Sequence, residues 1–362
     1  MKILFLQQQP CIRALKYAEG LRSTKDDVKL IFAYTHKTLT QFYGYGDELF
    51  DRMIKLEKKK LTPQIRKLIY TENIDIVHSH NAPDFLTLAA IEASRGRIPI
   101  IHDIHDLISI RSTPYGTLDP KGHHVLEIER RAVTECNGLI FVTSGVKDAC
   151  ESAYPIDQKP TLVFPNYVPR RLMPSALMRK LSENYGEIHI VYEGSLDSVN
   201  LGGHYDLKDI FKAIADQKIH IHIYSSKENP DYDAFADGNS YIHYHGRLDA
   251  KKLFQEITQY DYGWAGFNIA RNKEHVDTVL ANKVLEYISC GLPVISLGHK
   301  TQKEFIEENG IGIVINEIGE LSSRLREEPE LNGIRSRVLE CRQYFTIEDK
   351  IRQVLDFYKS FT

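Results

Sequence analysis

The chain has 362 residues and a mass of 41.6 kDa, room for two or three domains of roughly 150 residues. Its 46 basic and 49 acidic side chains leave a formal charge of −3, which excludes a chain-wide electrostatic footprint for nucleic acid. At 42% hydrophobic and 26% charged residues it is neither disordered nor fibrous, and no apolar run approaches the ~18–20 residues of a bilayer span.

Residues 2–6, Lys-Ile-Leu-Phe-Leu, form an apolar run without helical period, which predicts a buried parallel strand. The run passes into Gln7-Gln8-Gln9 with no small-residue cleavage pattern, so no secretory leader is expected. A helix is predicted over 12–21, then strands at 28–34, 74–78, 99–104 and 139–143, with helical patterns between them and a helical region through the 50s and 60s. Strands alternating with helices predict a parallel sheet covered on both faces. Prolines 155, 160, 165, 169 and 174 then crowd a stretch with little regular pattern beyond 161–164, which reads as a domain edge. The alternation restarts with strands at 188–192, 219–224, 241–244, 260–264, 293–295 and 313–315. A last helix over 347–358 carries Ile351, Val354, Leu355 and Tyr358 on one face and must pack on something.

The five cysteines, Cys11, Cys136, Cys150, Cys290 and Cys341, are scattered and show no CxxC spacing, so reduced thiols and a cytoplasmic protein are expected. The charge is uneven: residues 1–170 carry +3 and the remainder −6. Much of the positive excess lies in 52–70, where seven basic residues accompany one acid. This segment reads as one basic amphipathic helix interrupted near Pro63. Its basic face is either simply solvated or a contact for an anionic membrane surface.

In doubly wound sheets, ligands bind beyond the carboxyl ends of strands, which directs attention to three segments. His78-Ser79-His80-Asn81 and His102-Asp103-Ile104-His105-Asp106 are read as loops following strands. Imidazole and carboxylate together invite a metal, but the places that an HxHxDH pattern needs after His80 hold Ala82 and Pro83. No metal site is expected, and His78 and His102 read equally as core histidines. His105 and Asp106 lie beyond the apolar run and are the favoured catalytic pair. The third segment, 282–296, reads as a helix with Glu286 in its interior, a C-cap glycine at Gly291 and a following strand. It is either a surface helix with solvated Lys283 and Glu286, or a helix N-terminus for a diphosphate. Asp231-Tyr232-Asp233 has the letters of a metal-binding DxD motif but sits in a polar stretch, not after an apolar strand.

Asn282-Lys283-Val284-Leu285-Glu286-Tyr287-Ile288-Ser289-Cys290-Gly291-Leu292-Pro293-Val294-Ile295-Ser296 resembles the signature of retaining nucleotide-sugar glycosyltransferases of family 4, which have the GT-B fold. The opening strand, Asp75-Ile76-Val77-His78-Ser79-His80, the His105-Asp106 pair, Pro165-Asn166, Val191-Tyr192-Glu193-Gly194-Ser195-Leu196 and His245-Gly246-Arg247-Leu248 extend the likeness in order along nearly the whole chain.

The resemblance implies an α/β, GT-B protein of two Rossmann-like domains facing a cleft. One is an acceptor-side domain at 1–170 joined by a crossover helix at 346–362; the other is a donor-binding domain at 171–345. It implies that Glu286 holds the ribose hydroxyls, that His105 lies beside the donor sugar, and that Arg247 and Leu248 meet the base. Asn282, Lys283, Gly194, Ser195 and Thr278 complete the expected donor site. Two positions depart from the pattern. Thr278 stands where a second glutamate is frequent, and Gly202-Gly203-His204-Tyr205 replaces a loop that carries a basic pair. Lys208, Arg271 and Lys273 are therefore the candidates for the diphosphate.

The expected activity is metal-independent, retaining hexosyl transfer from a nucleoside-diphosphate sugar, without a cofactor, to a glycan or lipid-linked acceptor. Such an enzyme serves polysaccharide biosynthesis at the cytoplasmic side of a membrane, with no nucleic-acid partner. The alternatives are a catalytically silent sugar-nucleotide binder and a nucleotide-sugar epimerase on the same fold.

Overall fold

The computed structural model describes residues 1–111, 123–199, 202–326 and 328–362. The chain divides into two compact units: Met1–Pro169 together with Ile347–Thr362, and Arg170–Thr346.

The first unit has seven strands: β1 (Lys2–Gln7), β2 (Lys29–Tyr34), β3 (Arg52–Lys55), β4 (Ile76–His80), β5 (Ile100–Ile104), β6 (Gly138–Phe141) and β7 (Thr161–Val163). They pair in the order β3-β2-β1-β4-β5-β6-β7, every neighbour parallel. Strands buried on both faces have no polar side to show, and Ile3 through Leu6 are all fully buried. On one face Leu4, Leu6, Ile31, Val77 and Ile100 form a core with Ile65 and Ile69 of the Leu61–Thr71 helix and Ala90 and Ala93 of the Phe85–Ser94 helix. On the other, Phe5 packs against Tyr17 of the Ile12–Ser23 helix, Phe50 and the His78 ring.

The C-terminal segment forms two short helices, Ile347–Lys350 and Arg352–Lys359, where the sequence predicts one. Its apolar face docks on the first unit: Val354, Leu355 and Tyr358 are buried, and the Tyr358 hydroxyl hydrogen-bonds His78 Nδ1. Gly20 makes the approach possible, because a Cβ there would stand 2.7 Å from Ile347 Cγ1 and 2.9 Å from Ile351 Cγ1.

The second unit has six strands: β8 (His189–Gly194), β9 (His220–Ser225), β10 (Ile242–Gly246), β11 (Tyr262–Trp264), β12 (Val294–Leu297) and β13 (Gly312–Ile315). They run in the order β10-β9-β8-β11-β12-β13, again parallel throughout. Ile190, Tyr192, Ile221, Ile223, Trp264, Ile295 and Ile313 build its core with Phe211 and Ile214 of the Lys208–Ala215 helix. Two parallel α/β sheets are the architecture that the alternating pattern predicts.

Two local expectations fail. The segment 52–70 is not one helix: Arg52–Lys55 is the edge strand β3, Lys58–Lys60 a single 3₁₀ turn, and the helix begins at Leu61. Pro63 sits in that helix's first turn, where a missing N–H costs nothing, so it marks the start and not an interruption. The His78–Asn81 stretch is not a loop, since β4 runs through His80, whereas β5 ends at Ile104 as the strand predicted at 99–104 does. The polar side chains of both strands find partners in the core: His78 bonds Asp103 and Tyr358, His102 lies against Asp84 and Thr87, and Asp103 pairs with Arg13. Asp231 and Asp233, whose polar stretch already argued against a DxD site, lie on the short Pro230–Ala236 helix, capped by Asn229, with both carboxylates exposed.

One face of β8, β9 and β10 carries five histidines. His189 Nδ1 lies 2.9 Å from His222 Nε2, His222 Nδ1 3.0 Å from His245 Nε2, and His220 Nδ1 2.9 Å from His243 Nε2. The His189/His220 and His222/His243 rings stack at 4.4 Å. Burial, reinforced by neighbouring imidazoles, pushes His189 down to about 4 and His222 much further, and it lowers His243 and His245. A histidine kept neutral in the folded state costs nothing above its unfolded pKa near 6.5. Below that pH the unfolded chain takes up protons that the folded one refuses, so stability falls. His222 alone should lose about 2 kcal/mol between pH 6.5 and 5. The unfolding midpoint should therefore drop over this range, with a shallower slope in His222→Gln; equal slopes in parent and variant would contradict a neutral, buried His222.

Candidate functional site

In each sheet the strand order reverses once. The reversal lies between β1 and β4 in the first unit and between β8 and β11 in the second, and the loops leaving those strands diverge to leave a crevice where ligands bind.

In the second unit that position is built around Lys283. The Asn282–Ser289 helix starts after Ala281, whose N–H donates to Gln302 Oε1 at 3.0 Å; Gln302 Nε2 in turn donates to the Ala265 carbonyl (2.9 Å) and Ser296 Oγ (2.6 Å). One buried amide thus fixes the helix start to the ends of β11 and β12. From the first turn, Lys283 reaches inward and is only 6% exposed. Its Nζ lies over three rings, 4.7 Å from the centroid of Tyr192, 5.3 Å from Phe267 and 5.8 Å from Tyr205, an attraction worth more when desolvated. Burial lowers the Lys283 pKa, while Glu193 and Glu286 act to raise it.

Gly194, at the end of β8, has φ +136, and a Cβ there would stand 3.4 Å from Lys283 Cε and 3.5 Å from Nζ. Both the backbone and the space beside the ammonium therefore call for glycine. Tyr287, from the same helix, fills the room that Gly263 leaves; its hydroxyl accepts from Glu193 N at 3.0 Å and donates to Trp264 O at 3.2 Å, joining β8 to β11.

Of the residues expected at the donor, the structure brings together Gly194, Lys283 and Glu286, the last half-buried one turn along. Ser195 and Asn282 are exposed beside them. Thr278 is buried, and its hydroxyl donates to the His275 carbonyl at 2.8 Å. Lys208 opens its helix with Nζ 5.2 Å from the Tyr232 ring. Arg271 lies against Gly202, and the exposed Lys273 pairs with Asp277. Arg247 is exposed and Leu248 half-buried, beyond Gly246, whose φ of +67 leaves the Glu228 carboxylate 2.9 Å from a Cβ position. Sequence reasoning missed Glu193, Tyr205, Phe267 and Gln302. The first is a charge inside a strand; the aromatic pair is separated by 62 residues and meets only in the fold.

The first unit places a polar network at its own reversal. Arg13 and Asp103, 2% and 0% exposed, pair at 2.9 Å. His78 Nε2 lies 3.0 Å from Asp103 Oδ2, and Arg13 also donates to Asn166 Oδ1 (2.9 Å) and the Tyr17 hydroxyl (2.8 Å). Burial acts to raise the Asp103 carboxyl, but the Arg13 charge and the His78 hydrogen bond outweigh it and hold it well below the carboxylate range.

His80 Nδ1 meets His105 Nε2 at 3.2 Å. His105 is held from behind: Asn81 Oδ1 accepts its backbone N–H at 2.8 Å, and Asn81 Nδ2 donates to Asp106 O at 2.6 Å. Asp106 itself pairs with Arg111 at 2.5 Å. His102 is buried between Asp84 (3.0 Å) and Thr87 (2.8 Å), a packing role. The His105 side chain is 20% exposed, and burial, against the pull of Asp103, takes its pKa down to about 4. It is therefore a neutral imidazole throughout the physiological range. In a proton-resonance titration His105 should show its midpoint near 4; a midpoint near 6.5 would contradict the buried, paired geometry.

The family described as Glycosyltransferase Family 4 matches residues 14–171, and the Glucosyltransferase 3-like, C-terminal domain family matches residues 199–346. No curated protein matches the sequence. Among solved structures the chain is similar to a glycosyltransferase from Rickettsia africae (14% identity, TM-score 0.72, 99% of this chain and 98% of that one). It is also similar to HepE of Anabaena in complex with UDP (15%, 0.73, 99% and 100%) and to a UDP-N-acetylglucosamine 2-epimerase described from Listeria monocytogenes (15%, 0.62, 99% and 96%). With a glycosyltransferase domain matched on each unit and the GT-B fold along its whole length, the chain belongs to the family 4-like glycosyltransferases.

Proposed function

We propose that the protein transfers a hexosyl group from a nucleoside-diphosphate sugar, with retention of configuration and without a metal ion, to a glycan or lipid-linked acceptor. The observation that carries this reading is the Lys283 ammonium at the reversal of the second sheet, held by three aromatic rings beside Gly194 and one turn from Glu286. A buried cation at a helix N-terminus suits a diphosphate. Its arrival would favour the charged form that burial disfavours in Lys283. The Glu286 carboxylate would accept from the ribose hydroxyls in charge-assisted bonds. Because Lys283 is already placed, it stabilises the departing diphosphate without reorganisation. His105, neutral and oriented by Asn81, would act on the donor sugar, with Asp106 beside it; Lys208, Arg271 and Lys273 are the further cations for the phosphates. UDP bound to HepE of Anabaena makes uridine diphosphate sugars the first donors to test.

A second reading is a silent sugar-nucleotide binder. It is favoured by Thr278, whose hydroxyl bonds the His275 carbonyl, so that no carboxylate stands at that position for the sugar. Release of nucleoside diphosphate from the donor separates the two, since a silent binder releases none.

With EDTA present, the parent should release UDP from its UDP-sugar. Glu286→Gln should weaken UDP binding by roughly 10- to 100-fold, the equivalent of about 1.5–3 kcal/mol for hydrogen bonds to a charged group. Calorimetry that finds equal affinity would remove the ribose role, and loss of turnover restored by manganese would remove the metal-free mechanism.

A lipid-linked acceptor would bring the protein to an anionic surface. Lys58, Lys59 and Lys60 are all exposed on their 3₁₀ turn, and among the described residues no helix is long and apolar enough to cross a membrane. Binding to phosphatidylserine vesicles should fall steeply above ~0.15 M salt and on changing these three lysines to Gln. Binding that ignores both would exclude the segment as the contact.

A further inference from the structure

The reversal point of the first sheet carries a set of metal-ligating side chains, of which only His105 has a place in the proposed transfer. Cys11 follows β1, His80 ends β4, and His105 follows β5. One donor atom of each lies within 4.8 Å of the other two. Two ring nitrogens of His80 and His105 are 3.2 Å apart, close to the ~3.3 Å that two nitrogens span on a tetrahedral zinc with bonds of about 2.05 Å. His80 is fully buried, and the nitrogen that it turns to His105 is Nδ1, its Nε2 having no hydrogen-bond partner among the described residues.

A second cluster, His78, His80 and Asp103, satisfies the same separation, but its atoms are committed. His78 uses both nitrogens, on Tyr358 and Asp103, and Asp103 is paired with Arg13. The cysteine cluster differs in that Cys11 and His105 are half-buried and reachable. The Asp103 carboxylate lies 3.5 Å from His80 and 3.9 Å from His105, so the nearby Arg13 charge is matched and does not repel a cation. Gln7 accepts the Cys11 N–H at 3.0 Å and fixes the start of the loop.

We propose that Cys11 Sγ, one ring nitrogen of His80 and one of His105 bind a single thiophilic divalent ion of the zinc class, leaving a fourth position open. One thiolate and two imidazoles are a donor set that favours zinc or cobalt over magnesium or calcium. Burial raises the Cys11 thiol pKa, so binding displaces the thiol proton to solvent. The proton shared between the rings moves to an uncoordinated ring nitrogen, and each imidazole stays neutral. The ion takes the lone pair of His105, so it inhibits transfer; this consequence rests on the proposed role of His105, whereas the binding does not.

The test uses the full-length protein stripped of metal with a chelator and titrated with cobalt(II), then with zinc in competition with a chromophoric chelator. One equivalent of cobalt should give a thiolate-to-metal charge-transfer absorption. The other four cysteines are buried, apart from this cluster, so Cys11→Ser should abolish the absorption and weaken zinc binding roughly tenfold or more, as should His80→Gln. Zinc affinity should fall about tenfold for each pH unit between 7.5 and 6.5, for one displaced proton. No absorption in the folded parent, or an absorption unchanged in folded Cys11→Ser, overturns the site. If zinc binds as described but does not slow transfer, the role of His105 in transfer falls while the site stands.

Discussion

A parallel sheet brings the carboxyl ends of all its strands to one edge, and wherever the strand order turns back, the outgoing loops cannot cover that edge. Both units obey this constraint once, between β1 and β4 and between β8 and β11. The groups with chemical capacity stand at those two places. Lys283, Gly194 and Glu286 gather at one; Cys11, His80 and His105 gather at the other. The position of these clusters follows from topology before any side chain is considered.

The two sites are stiffened by different means. In the second unit an uncharged scaffold does the positioning: the Gln302 amide ties the helix start to β11 and β12, the Tyr287 hydroxyl ties β8 to β11, and rings surround the single cation. The first unit instead buries an ion pair, Arg13 with Asp103, and builds outward from it through His78 to Tyr358 of the C-terminal segment. Buried ion pairs are costly to desolvate and weak evidence for stability. What this one provides is an anchor that holds residues 347–362 on the first unit, while burial keeps His80 and His105 neutral beside it against the pull of Asp103.

The fold was legible because apolar runs without helical period, spaced by helical patterns, have few other solutions than parallel α/β sheets. Motif 282–296 was legible because its helix, glycine stop and strand follow in one uninterrupted stretch. The edge strand Arg52–Lys55 was hidden by its charges, since only a strand at the rim of a sheet can afford Arg and Lys at both ends. His80 was read as a loop residue because polar letters ordinarily end a buried strand; here β4 continues through it, and His78 meets Asp103 across β4 and β5, a pairing that depends on register. The aromatic wall around Lys283 and the approach of Cys11 to His80 join positions dozens of residues apart, and no local spacing signals them.

The central claim is that the second unit holds a nucleoside diphosphate at the reversal between β8 and β11. Hydrogen–deuterium exchange with and without saturating UDP tests it most directly, because ligand contact and ordering reduce local opening. Slowed exchange concentrated in peptides covering 192–207, 265–272 and 281–289 is the result this account predicts. Protection that leaves those peptides unchanged, or that appears only in the first unit, would contradict it.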